Sequence, residues 1–412
     1  MNVMSVEEAR ELVFARVARL AQERVLLLEA LGRVLAEDAV SDIDVSPFDN
    51  SAMDGYAVRA QDTAGAPVTL RVVEHIAAGD SPTVALGTGE VSRIMTGAPM
   101  PDGADAVVMV ERTEPGEADG GAGGTVRVLH GAEAGDHVRR RGEEVLAGDV
   151  VLRAGEVIGP AAIGLLASTG HAEASVFRRP RVAVLATGSE LVDVAETPGP
   201  GKIRDSNSYS IAAQVLAAGG VPLRYPVVTD DPGVTREAFL RAAGEADFIV
   251  TSGGVSVGDF DYVKPVLEEI GELAFCKVAM RPGNPQTLGS IRGVPFFGLP
   301  GNPTSTFVGF EVFVRPALRL MQGFASLDRP RTTARLAHDV RKKQDRRYYM
   351  RASLLRIADG FEVSLAGSQS SALLTAAHRG NCLMVLPEGE GSYSEGALVD
   401  CIRLDMEEGT PS

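Results

Sequence analysis

Between Arg181 and Met321 short apolar runs alternate with stretches of helical period, and each apolar run ends in glycine, serine, proline or carboxylate residues. Residues 182–186 lead into Thr187-Gly-Ser-Glu190 and a helix around 208–218. Residues 223–228 end in Thr229-Asp230-Asp231, before a helix around 235–243. Residues 248–250 run into Thr251-Ser-Gly-Gly254 and a helix over 262–270. Strands around 273–279 and 294–299 precede Pro300-Gly-Asn-Pro303 and a long helix over 304–321. Short apolar runs bounded by turn residues read as strands. Strands that alternate with helices predict a parallel, doubly wound sheet. Ligands of such sheets bind beyond the C-terminal strand ends. Glu190, Asp230, Asp231, the segment 252–261 and the turn at Pro300 and Pro303 are therefore expected along one rim.

The segment Ile249-Val-Thr-Ser-Gly-Gly-Val-Ser-Val-Gly-Asp-Phe-Asp-Tyr-Val-Lys264 carries the most chemistry. Paired glycines, Gly253 and Gly254, let backbone N–H groups approach a ligand without Cβ interference. N–H groups at such a turn favour an anion. Asp259 and Asp261 beside them are the usual means of holding Mg²⁺ against phosphates. A plain strand–turn–helix unit with Asp261 as helix cap accounts for the same residues equally well.

Outside this region the texture differs. Ser5-Val-Glu-Glu8 is a capping box, and Val6, Ala9, Val13, Val17 and Leu20 follow at helical spacing. A second helical run is expected over 26–36, the two helices forming a packing or dimerisation element. Residues 41–144 hold short β-type runs between Gly and Pro turns, with a hairpin tip at Asp119-Gly-Gly-Ala-Gly-Gly124. After residue 329, runs at 332–336, 348–357, 361–365, 382–386 and 398–404 predict a small β-barrel interrupted by one helix near 371–378.

A chain of 412 residues with 45% hydrophobic content builds several domains. Its net charge of −15 argues against general nucleic-acid binding. Cys276, Cys382 and Cys401 form neither a zinc spacing nor a disulfide framework, which fits a reducing cytoplasm. The sequence shows no signal-peptide pattern and no apolar run of membrane-spanning length. It also lacks a GxxxxGK[ST] loop, a GxGxxG after a strand and HExxH, the marks of several common enzyme classes.

Five further clusters stand out: Pro47-Phe-Asp-Asn-Ser-Ala-Met-Asp-Gly-Tyr-Ala57; Arg93-Ile-Met-Thr-Gly-Ala98 with Pro101-Asp-Gly-Ala-Asp-Ala-Val-Val-Met-Val-Glu111; Arg139-Arg-Arg-Gly-Glu-Glu144; Lys277-Val-Ala-Met-Arg-Pro-Gly-Asn-Pro285; and Gly298-Leu-Pro-Gly-Asn-Pro303. Singly, each reads as a turn, a hairpin or a solvated face. Lys277 and Arg281, alternating along one strand, are expected to point two cations the same way. Together and in this order the clusters resemble the molybdopterin molybdenumtransferases, the bacterial MoeA proteins and the E domain of gephyrin, over essentially the whole chain.

The resemblance implies a multidomain α/β protein: a discontinuous, helical domain 1 (residues 1–40 and 145–178), an inserted β-rich domain 2 (41–144), a molybdopterin-binding type doubly wound domain 3 (179–327) and a C-terminal β-barrel (328–412). It implies insertion of molybdate into adenylylated molybdopterin with Mg²⁺-dependent release of AMP, by a cytoplasmic homodimer with a shared cleft. The adenylyltransferase of the same pathway is a candidate partner, while nucleic acid and membrane are not expected ones. By motif match, Ser256 and Asp261, with Gly253 and Gly254, would hold the adenylyl phosphate and its Mg²⁺. Glu190, a second candidate metal ligand, would line the same cleft with Asp230 or Asp231. Asp54 and Thr96 would enter from the partner subunit. Lys277, Arg281, Asn284, Pro300, Pro303, Arg351 and Ser371 would surround the oxyanion. The chain departs from the family pattern twice: Arg281-Pro-Gly-Asn-Pro285 replaces the common Lys-Pro-Gly-Lys-Pro, and Glu144 stands where Asp is usual. Two other readings use the same residues, a molybdopterin adenylyltransferase and a scaffold without turnover.

Overall fold

Every residue of Val182–Ala186 is buried, which places that strand where both sheet faces are covered. The computed structural model describes residues 3–253, 263–389 and 391–409. The chain divides into two compact units, residues 1–23 with 175–412, and residues 24–174.

In the first unit the elements follow as β1 (Val3–Met4), α1 (Val6–Phe14), β2 (Arg181–Ala186), α2 (Asn207–Ala217), β3 (Val221–Arg224), α3 (Pro232–Glu245), β4 (Phe248–Ser252), α4 (Val263–Ile270), β5 (Gly271–Val278), β6 (Pro285–Ile291) and β7 (Val294–Leu299). Helix α5 is continuous through Pro303–Gly309, a π-turn at Phe310–Val314 and Arg315–Met321. The sheet order is β1-β5-β6-β7-β4-β2-β3. Strands β7, β4, β2 and β3 are parallel. The sheet continues through antiparallel β6 and β5, and β1 joins β5 in parallel. Strand β6 was not anticipated from the sequence, because prolines and glycines frame and interrupt its apolar residues.

Side-chain alternation explains the winding. Val182, Val184, Phe248, Val250, Phe297 and Leu299 share one core with Val6, Ala9, Val13, Ile211, Val215 and the α5 residues Phe310, Phe313 and Leu318. Ala183, Leu185, Ile249 and Phe296 share another with Phe239 and Ala242 of α3 and Leu267 of α4. One face thus takes α1, α2 and α5, and the other takes α3 and α4. The expected capping box is present: Glu8 N–H donates to Ser5 Oγ at 3.1 Å, and Ser5 N–H to Glu8 Oε2 at 2.7 Å.

The end of this unit is a barrel. Strands β8 (Arg331–Leu336), β9 (Arg347–Ile357), β10 (Gly360–Leu365), β11 (Cys382–Leu386) and β12 (Leu398–Arg403) pair in the cycle β9-β10-β8-β12-β11 and back to β9. Its interior holds Ala334, Leu336, Tyr348, Met350, Val363, Met384 and Val399. Closure removes every exposed sheet edge.

In the second unit a six-stranded sheet runs in the order Ala106–Met109, Gly55–Val58, Glu90–Ile94, Val68–Ile76, Thr125–Val128, Thr113–Pro115. The Gly-rich segment 119–124 lies between the last two of these, which pair antiparallel as a hairpin. The expected helix over 26–36 is not formed. A single 3₁₀ turn, Leu27–Ala30, gives way to Gly32 at φ 74°, a left-handed conformation that a continuing α-helix cannot contain.

Candidate functional site

The rim predicted at the strand ends is present in the first unit. A cleft lined by Thr187, Glu190, Asn207, Ser252, Gly253 and Pro303, among others, opens beyond the C-terminal ends of β2 and β4. Gly253 adopts φ 87°, and a Cβ there would lie 2.5 Å from Thr187 O. The backbone passes closer than any side chain permits, so glycine is required. Gly188, at φ 150°, serves the neighbouring turn: a Cβ would meet Glu190 Oε2 at 2.5 Å. The Glu190 carboxylate therefore folds back over Gly188, with no hydrogen-bond or ion-pair partner among the described residues. Gly254, Ser256 and Asp261 lie outside the described residues.

Asp230 and Asp231 divide their work. Asp230 Oδ2 accepts from Ser189 N–H at 2.9 Å, tying it to the Glu190 turn. Asp231 caps α3, accepting from Val234 N–H at 2.9 Å. Its carboxylate is spent on the helix, and neither aspartate is among the described residues that line the cleft.

A second group of expected residues meets at the start of α5. Thr304 N–H donates to Ser371 O at 2.9 Å. Gln369 spans from Ser371's segment to the barrel, accepting from Arg351 N–H at 3.1 Å and donating to Arg351 O at 3.0 Å. The loop holding Arg281 reaches the same place, since a Cβ on Gly283 would lie 3.5 Å from Ser305 O. Arg351 is 2% exposed. Its Nη1 donates to Tyr349 O at 3.3 Å, while Nε and Nη2 are buried without a partner. Burial, and secondarily the charge of Arg281, depress its pKa to about 10. Arg281 is exposed, donates to Tyr348 Oη at 3.2 Å and lies 5.3 Å from the centre of that ring. The two guanidiniums are near enough for the charge of Arg281 to act on Arg351, and neither has a carboxylate partner among the described residues, a charge arrangement that suits an oxyanion.

Lys277 and Arg281 do not share a strand face. Strand β5 ends at Val278, and Met280–Arg281 pairs instead with Arg347 and Tyr348 of the barrel. The chain changes sheets because Ala279 O accepts from Arg347 N–H at 2.8 Å. Lys277 stays on the exposed side of β5. The Asn284 side chain donates to Val278 O at 2.6 Å while Val278 N–H donates to Asn284 O at 2.8 Å, so it closes the base of the Arg281 loop.

In the second unit Asp54 and Thr96 are brought together. The Thr96 N–H and hydroxyl each lie 2.7 Å from Asp54 Oδ1. These two bonds, the backbone one first, hold the Asp54 carboxyl below its ordinary range. Glu144 and Arg139 line a separate shallow pocket of the same unit with Val45 and Ser46.

The sequence reading missed Asn207. Its Nδ2 joins Ser252 Oγ and Gly301 O in the floor of the cleft. The signal was a polar residue opening a helix, which is usually only a cap. The first unit also contains a larger cavity among Glu7, Arg10, Arg331 and Arg347, away from these turns; its Arg10–Asp328 and Arg347–Glu7 pairs make it a feature of packing.

A mostly parallel α/β sheet with glycine turns at its strand ends, joined to a closed barrel that carries a buried arginine, defines a multidomain α/β protein of the molybdopterin-binding type. Residues 4–170 match the MoeA N-terminal region (domain I and II), 183–320 the probable molybdopterin binding domain, and 333–404 the MoeA C-terminal region (domain IV). Molybdopterin molybdenumtransferases of Staphylococcus aureus and Bacillus subtilis are each 37% identical, covering 98% and 94% of this chain and 97% and 91% of their own. A molybdopterin molybdenumtransferase 2 of Mycobacterium tuberculosis is 42% identical over 85% of this chain and 87% of its own. A molybdopterin biosynthesis MoeA protein from Pyrococcus horikoshii superposes with a TM-score of 0.83 at 33% identity, covering 98% of this chain and all of that one. The chain belongs to the molybdopterin molybdenumtransferase (MoeA) family of transferases.

Proposed function

We propose that the chain inserts molybdate into adenylylated molybdopterin, with Mg²⁺-dependent release of AMP. The observation that carries this reading is Arg351: a buried guanidinium on a barrel strand, with two unpartnered nitrogens and within electrostatic reach of Arg281. Such a group lowers its free energy most by gaining an oxyanion. Attack of a molybdate oxygen on the phosphoanhydride gathers negative charge there, which Arg281 and Arg351 are placed to offset. Lys277 would act at longer range from its exposed strand face.

The donor set suits Mg²⁺, which takes one or two carboxylates and completes its shell with water and phosphate oxygens. Glu190, unpartnered over Gly188, and Asp261 would hold it, and it would neutralise charge on the adenylyl phosphate. Gly253, Gly254 and Ser256 would cradle that phosphate. The division into four domains, with residues 1–40 and 145–178 as the first, remains part of the same reading, as does a cytoplasmic homodimer in which Asp54 and Thr96 of a second copy complete the cleft. No helix of the described residues is long and apolar enough to cross a membrane.

Purified protein with adenylylated molybdopterin, Mg²⁺ and molybdate tests the reading. Molybdate-dependent AMP release that disappears in Asp261→Ala is expected. ATP consumption with molybdopterin in place of AMP release would identify an adenylyltransferase, and binding without turnover a scaffold. Mixing Asp54→Ala chains with Glu190→Ala chains tests the shared cleft: partial recovery of activity is expected, and none would place all groups within one copy.

A further inference from the structure

Asn207 is the side chain on which two strand-end turns meet. Its Nδ2 donates to Ser252 Oγ at 2.7 Å and to Gly301 O at 2.8 Å. Ser252 ends β4 and leads into Gly253, while Gly301 belongs to the turn after β7. The turns are packed closely, since a Cβ on Gly301 would lie 3.9 Å from Gly253 Cα. Two further ties lie beside them: Gly253 N–H donates to Leu299 O at 3.1 Å, joining the ends of β4 and β7, and Thr306 Oγ1 of α5 donates to Pro300 O of the turn at 2.5 Å.

Helix α2 does not need the Asn207 side chain. Asp205, 2% exposed, already accepts from Ser208 N–H at 3.0 Å and from the Ser208 hydroxyl. The amide orientation is instead dictated by the two turns. Both contacts use its donor end, and Oδ1 is left buried without a partner. A buried acceptor left unpaired is unfavourable, so the side chain is held where the turns need it.

We propose that Asn207 is a positioning residue for the cleft: it fixes the spacing between the Ser252–Gly253 lip and the Pro300–Pro303 lip, and thereby the fit of the adenylylated pterin. The inference rests on the functional reading above. The amide NH2, with its two protons, satisfies both acceptors at once. A carboxylate at this position has no proton for Gly301 O, and regains one when it is protonated.

The test uses the full chain with Asn207→Ala and Asn207→Asp, measuring hydrogen exchange without ligand and AMP release with adenylylated pterin, Mg²⁺ and molybdate. Exchange in peptides covering 252–253 and 300–302 should rise in both variants. KM for the pterin should rise about tenfold with kcat held within about twofold, the signature of lost binding geometry rather than lost chemistry. Between pH 7 and 5.5 the aspartate variant should regain part of that affinity relative to wild type, and the alanine variant none. A merely structural residue would not produce this difference, and the aspartate variant's pH profile suffices should the alanine variant fail to fold. Faster exchange with an unchanged KM, unchanged exchange, or identical pH profiles of the two variants would overturn the proposal. A wild type that releases no AMP overturns the functional reading instead, and exchange alone then decides whether Asn207 ties the turns.

Discussion

Two buried arginine sites in the first unit follow opposite rules. Arg315, 4% exposed, donates from Nη2 to Glu408 Oε2 at 3.0 Å, from Nε to the same carboxylate and from Nη1 to Ala217 O at 2.9 Å. Arg319 joins Glu408 at 3.3 Å, and Arg329 pairs with Glu311 at 2.8 Å. Burial lowers the pKa of Arg315, but Glu408 and Glu311 raise it above its ordinary value overall. Arg351 is as deeply buried, yet has no carboxylate partner among the described residues, and its pKa falls. Burial alone therefore does not separate a structural cation from a binding one. The direction of the pKa does not separate them either, since burial and the neighbouring cations also lower Arg319 in spite of Glu408; the first cluster has its carboxylates in the folded chain, and the second is the one proposed to gain its partner from a bound oxyanion.

The largest effect that could break this comparison lies in the complete cluster. Removing one member leaves a buried charge without its partner, at a cost of about 3–5 kcal/mol. Glu408→Ala should lose about that much in urea denaturation. Arg315→Met in the same background should restore part of it, because both charges are then gone. A loss below ~1 kcal/mol would mean that the cluster does not hold the C-terminal segment to α5.

The same cluster predicts an acid-sensitive step. Arg315 and Arg319 hold the Glu408 carboxyl below its ordinary value of 4.5, against the effect of burial. Stability from this group is fully present above the unfolded value and lost as pH falls through the lower folded one. The difference in unfolding free energy between wild type and Glu408→Gln should therefore narrow as pH drops below 4.5. A difference that stays constant from pH 6 to 3 would contradict the assignment.

Arg351→Met reverses the pattern. It removes an unsatisfied charge, so the unliganded chain should lose less than ~1 kcal/mol or become more stable, while molybdate-dependent turnover falls by about 100-fold, ~2.7 kcal/mol. Thermal unfolding with and without molybdate checks the first half and AMP release the second. Strong destabilisation of the unliganded variant would place Arg351 with Arg315 as a structural cation.

The sequence exposed the sheet, the barrel strands and the glycine turns, because these are set by local periodicity and by backbone conformations only glycine adopts. Gly253 was legible for that reason. Arg351 was placed by resemblance, but its burial without a partner depends on barrel closure and on Gln369 and Ser371, which no local pattern reports. The Lys277–Arg281 alignment failed because a two-residue strand changed sheets at Ala279, a competition between tertiary partners. The helix over 26–36 failed because hydrophobic period outweighed Gly32 in the reading and not in the chain. Asp261 was ambiguous for a physical reason: a carboxylate before a helical run serves equally as a cap or as a ligand.

Asn284 sharpens the comparison with the smallest expected effect. Where two-lysine relatives carry a cation, this side chain closes the Arg281 loop through Val278 O. Asn284→Lys would bring a charge toward Arg281 and release that hydrogen bond, a loss of about 0.5–1.5 kcal/mol that loosens the loop. The added charge acts through partly solvated surroundings and is worth about 1–2 kcal/mol. The midpoints of the two differ by ~0.5 kcal/mol, so the net gain in molybdate affinity should be about two- to threefold, with higher salt dependence and slightly lower stability. Affinity equal to or tighter in the wild type would show that loop closure outweighs the missing cation, and that Arg281 and Arg351 already supply the charge the oxyanion requires.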